Sequence, residues 1–123
     1  MITEDYVSFE TAKLLKEKGF DDNCAALYDL RSGELNQRGV GYVFNNGQWD
    51  NFITAPTLQM VMKWLREVHK LFIHIDVIRE ASCWTADIQD IKNDVAIYPV
   101  KEEFSGYEQA CEAAIKYCLE NLI

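Results

Sequence analysis

Apolar residues along this chain change spacing several times, and each change marks a switch between helix and strand. Ser8 can cap a first helix running to about Lys18, with Ala12 and Leu15 on its inner face and Gly19 as its terminator. The segment NCAALYDL then reads as a strand closed by the RSGE turn. GVGYVF and QWDNFI flank Asn45-Asn46-Gly47, whose residues tolerate positive φ, which predicts a hairpin.

The densest stretch, APTLQMVMKWLREVHKLFIHID, divides into two elements. Pro56 suits the first turn of a helix, and Leu58, Val61, Leu65, Val68 and Phe72 recur at helical spacing. Met60, Met62 and Trp64 widen that stripe, so this helix is expected to pack on more than one side, with Trp64, Leu65 and Val68 buried. At about His69 to Lys70 the period changes to two: Leu71, Ile73, Ile75 and Val77 alternate with Phe72, His74, Asp76 and Ile78. CWTADIQDI and DVAIYPV read as two further strands joined through KND, and Pro99, which lacks an amide donor, places the second at an edge or at its end. Ser105 or Gly106 opens a last helix with the stripe Tyr107, Cys111, Ala114, Ile115, Cys118 and Leu122.

The order is therefore α-β-β-β-α-β-β-β-α. Hairpins on both sides of the central helix imply an α+β fold, with a mainly antiparallel sheet of about five or six strands and three helices packed largely on one face. A length of 123 residues without linker, repeat or low-complexity tract predicts one globular domain over 1–123.

Charge narrows the partners. Twenty acidic against twelve basic side chains leave a formal charge of -8, which disfavours direct contact with nucleic acid or an anionic membrane. Glu4 and Asp5 stand where a secretory leader needs positive charge, and no apolar run would span a bilayer, so a cytoplasmic location is expected. Cys24, Cys83, Cys111 and Cys118 form no CxxC pair and no ligand spacing. They are expected as reduced, buried, small hydrophobes, with no metal and no cofactor.

Candidate chemistry is sparse. His74 and Asp76 share one face of a strand, so a carboxylate could orient an imidazole for acid/base work, but the commonest setting for such a pair is the solvated face of a half-covered sheet. His69 falls at a helix C-terminus, where a cation suits the dipole. A metal site would need Cys83 or Asp87 to join a histidine from a neighbouring strand. The glycines of GVG and NNG lack the strand-turn-helix context of a phosphate loop. If the helices cover one sheet face, then Tyr42, Phe44, His74, Asp76, Thr85 and Asp87 can lie on the other as a binding surface, subject to strand register.

Two resemblances bear on function. YVSFETAKLLKEKGF is similar to the opening helix of winged-helix excisionase modules, but the following DDNCAALYDL turns to strand where those modules carry a basic recognition helix. That block, with APTLQMVMKWLRE and YEQACEAAIKYCLENLI, resembles small uncharacterised proteins carried by phages and mobile elements of gut Bacteroides-type bacteria. This second resemblance implies an accessory protein and assigns no activity, cofactor or site residue.

Three functions follow in order of preference. The first is a non-enzymatic protein-interaction accessory protein, with a protein partner or self-association. The second is an acidic DNA mimic that occupies a nucleic-acid-binding host protein, suggested by six acids against three bases in residues 1–23 and five against two in 101–123. Mixed charge on ordinary outer helix faces ranks it below the first. The third is a small hydrolase using His74 and Asp76, or a thiol.

Overall fold

The computed structural model describes residues 2–37, 43–47, 50–97 and 103–123. Among the described residues, three helices and six strands follow one another in the expected α-β-β-β-α-β-β-β-α order. The strands form two three-stranded antiparallel sheets where the sequence pattern suggested a single sheet, and the chain divides into two compact units, 1–57 and 58–123.

In the first unit, α1 (Phe9–Glu17) starts at Ser8, whose hydroxyl accepts from the Thr11 amide at 3.2 Å. It stops because Gly19, at φ 89°, allows the Gly19 amide to reach the Lys16 carbonyl and the Phe20 amide to reach Leu15. Phe20 and Leu15 are both 1% exposed, so this terminator is also a piece of core. Strand β1 (Ala26–Asp29) is central, pairing with β2 (Leu35–Gln37) on one side and β3 (Phe52–Thr54) on the other. Ala26, Leu27 and Tyr28 are buried in succession, as a central strand with both faces covered requires. The Tyr28 ring lies 5.4 Å from that of Phe9, and its hydroxyl donates to the Val7 carbonyl, tying the sheet to the segment that enters α1.

Much of the hairpin expected across Asn45-Asn46-Gly47, residues 39–42 and 48–49, lies outside the described residues. In the turn the Asn45 side chain accepts from the Gly47 amide, Phe44 bridges Cys24, and β3 pairs with β1. Asn46 anchors the turn, its side chain accepting from the Thr54 amide and donating to the Phe20 carbonyl. The second strand among the described residues is Leu35–Gln37; of the strand expected over GVGYVF, Gly39 to Tyr42 fall outside the described residues, as does Pro99.

In the second unit, α2 (Leu58–Val68) buries Leu58, Val61, Met62 and Leu65. Pro56 precedes the helix and does not enter its first turn; its carbonyl accepts from the Val7 amide. Trp64 is only half-buried and Val68 is 59% exposed, contrary to the expected stripe. Leu58, Val61, Met62 and Leu65 centre the buried face on a line that reaches His69 four residues after Leu65, which leaves Val68 on the shoulder. Lys70, at φ 58°, turns the chain directly into β4 (Leu71–Ile78).

Strand β4 pairs along its whole length with β5 (Cys83–Asp90), which pairs in turn with β6 (Val95–Ile97). The register sets Ile73 opposite Ile88 and Ile75 opposite Ala86 on one face, where Ile73, Ala86 and Ile88 are buried under α2 and α3 (Tyr107–Asn121). Helix α3 presents Ala110, Cys111, Ala114 and Cys118 among its buried residues, and such small side chains let a helix lie close to its neighbours. The Trp84 ring meets Tyr107 edge-on at 5.5 Å on the same side.

Leu65 is fully buried, so Leu65→Ala should lower stability in urea unfolding by about 2 to 5 kcal/mol through lost transfer energy and a cavity. Val68→Ala, at an exposed position on the same helix, should change it by no more than about 0.5 kcal/mol. Equal losses would contradict the helix orientation.

Candidate functional site

The face of the β4–β5–β6 sheet away from the helices carries the polar half of the alternation. Phe72 stands opposite Gln89, His74 opposite Asp87 and Asp76 opposite Thr85, with Ala96 next to Gln89 on β6. His74 and Asp76 keep 54% and 65% of their side chains in solvent, and His74 Nε2 lies 3.5 Å from Asp76 Oδ2. The Phe72 and His74 rings are 6.3 Å apart and tilted. Phe72, His74, Asp87, Gln89 and Ala96 line an open depression of about 290 Å³.

Of the six residues expected to form a binding surface, His74, Asp76, Thr85 and Asp87 therefore share one open face. Phe44 belongs to the first unit, where it bridges Cys24, and Tyr42 lies outside the described residues. Phe72, Gln89 and Ala96 complete the face. Phe72 has the same parity as His74 and Asp76, the signal that could have included it.

His74 and Asp76 are arranged as a solvated pair. An acid/base dyad would need a desolvated pocket and a third reactive group held against the ring. The nearest sulfur on that side, Cys83, sits opposite Ile78 at the hairpin end, buried, with its thiol pushed above the ordinary range by burial and then by the Glu103 carboxylate. Burial likewise raises Cys24 to about 11, outweighing the hydroxyl of Thr54 beside it, and Cys118 to about 12; Cys111 is also raised, chiefly by burial. All four thiols are free and buried. Among the described residues no three His, Cys, Asp or Glu side chains converge as metal ligands, and no helix is long and apolar enough to cross a membrane.

His69 departs from its expected role as a dipole-complementing cation. Its ring packs edge-on against Trp64 at 4.6 Å, and its Nε2 is shielded without a hydrogen-bond partner. Desolvation lowers its pKa, so it favours the neutral imidazole. With Lys70, Lys92, Val68 and Ile91 it lines a broad surface groove of about 700 Å³.

Two measurements check these assignments. As pH falls below about 6.5, the unfolded histidine takes up its proton before the folded one does, so stability should fall between about pH 7 and pH 5. His69→Phe, which keeps a ring against Trp64, should lose less over that interval; an identical pH dependence would contradict a desolvated imidazole. In alkylation at about pH 8 the folded chain should react slowly at every cysteine, and all four should react once it is unfolded. One fast native thiol would identify an activated nucleophile.

Compared with protein-family models, with curated proteins and with solved structures, the chain matches none.

Proposed function

We propose that this protein is a non-enzymatic interaction module that binds a protein partner through the open face of the β4–β5–β6 sheet. The observation that carries this reading is the grouping of an aromatic side chain, Phe72, with His74, Asp87 and Gln89 around a depression, beside Asp76, on the sheet face opposite α2 and α3. An aromatic anchor amid polar groups that fix orientation is the usual composition of a protein-binding patch. The formal charge of -8 and the two aspartates on this face favour a partner that presents basic groups there.

The resemblance of its N-terminal, central and C-terminal segments to phage and mobile-element accessory proteins agrees with a binding role, and four free thiols agree with action in the cytoplasm. The hydrolase reading ranks lower because His74 and Asp76 are solvated and burial suppresses every thiolate. Mixed charge on the outer faces of the helices keeps the DNA-mimic reading below this one.

Affinity purification with the wild-type chain and with Phe72→Ala, from a lysate of the cell that makes the protein, tests the proposal. A specific partner should be recovered by the wild type and weakened about tenfold or more by the substitution, the loss expected of a central anchor. Glu10→Ala, on the exposed side of α1, should leave recovery unchanged. A partner indifferent to Phe72, or none at all, would contradict the assignment.

A further inference from the structure

Among the described residues, strand β4 is an edge of its sheet. The Ile91 amide donates to the Lys70 carbonyl, so the continuing antiparallel ladder directs Phe72, His74, Asp76 and Ile78 toward β5 and turns the N–H and C=O groups of Ile73, Ile75 and Val77 outward. These outward groups have no strand partner among the described residues. A long edge of this kind is a template for another strand unless Pro, bulges or like charges blunt it. Leu71–Ile78 contains no Pro, and its two ionisable residues carry opposite charge when His74 is protonated.

Those two residues lie symmetrically about Ile75. We propose that β4 pairs antiparallel with β4 of a second copy of this chain about a twofold axis at Ile75, joining the two sheets into one of six strands. In this register His74 faces Asp76 of the other copy twice, Ile73 faces Val77 twice, Phe72 faces Ile78 twice and Ile75 meets itself. Ile73, Ile75 and Val77 exchange the outward backbone hydrogen bonds. His74 and Asp76 fall at the closer, non-hydrogen-bonded positions, where side-chain contact is strongest. Shifting the axis to the next residue that keeps the faces matched sets either His74 against His74 or Asp76 against Asp76, so charge selects one register. Val77, 46% exposed in the single chain, gains an apolar neighbour. The pairing uses the backbone edge of β4 and sets the two open faces side by side with Phe72, His74 and Asp76 at the seam, and it requires no other partner.

Sedimentation equilibrium of the full chain should show a monomer–dimer equilibrium between about 1 and 500 µM. Asp76→Lys, at an exposed position, should weaken it at least about tenfold, because each His74 then faces a lysine. A separate cysteine test does not depend on that variant folding normally. His74→Cys and Asp76→Cys chains, mixed under mild oxidation, should form a mixed disulfide-linked dimer far faster than either chain alone, because only the mixed dimer sets the new cysteines opposite each other and keeps one His74–Asp76 pair. A wild type that stays monomeric, a dimer insensitive to Asp76→Lys, or self-linking as fast as mixed linking would each overturn the proposal.

Discussion

The register of the β4–β5 hairpin is the constraint on which the second unit and its candidate surface depend. Strand side chains repeat every two residues, so a shift of one residue would carry Ile73 and Ile75 to solvent and bring His74 and Asp76 under the helices. Two backbone features fix the phase. Lys70 takes a left-handed conformation that ends α2 and starts β4 within a single residue, and Ser82, at φ 52°, closes the turn that pairs Ile78 with Cys83. With the phase set, Ile73, Ala86 and Ile88 lie where α2 and α3 can cover them, and the polar partners are left together on the other side.

The same division accounts for the chemistry. The four thiols and two imidazoles are either desolvated or more than half exposed. The thiols are desolvated and therefore protonated, His69 is desolvated and favours its neutral form, and His74 with Asp76 stands in water, where an ion pair gains little. The proposed role is recognition, by an aromatic side chain among polar ones on an open sheet face and by an edge strand that has no partner among the described residues. These are properties of a surface, and they require no desolvated pocket.

Most of the architecture was legible in the sequence because periodicity reports directly on element type. The change of period at His69 to Lys70 located the helix–strand junction, and the parity of β4 and β5 grouped His74, Asp76, Thr85 and Asp87 correctly. Parity does not encode which strand pairs with which, so the division into two sheets was not legible, nor was the placement of Phe44 beside Cys24. The strand at Leu35–Gln37 was not legible because Leu, Asn and Gln carry little strand signal of their own and are held by pairing with β1; the strand expected over GVGYVF lies mostly outside the described residues. Val68 was misjudged for a related reason: residue type suggested an apolar valine inside, whereas the buried stripe of α2 leaves it on the shoulder.

The division of the sheet into a covered and an open face is tested most directly by methyl NMR of the full chain with a soluble paramagnetic chelate, which broadens signals according to their access to solvent. The account predicts strong broadening of the Thr85 and Ala96 methyls and little at Ile73, Ala86 and Ile88, which are at most 5% exposed. Broadening of Ile73, Ala86 and Ile88 with protection of Thr85 and Ala96 would show the opposite register and remove the proposed binding surface.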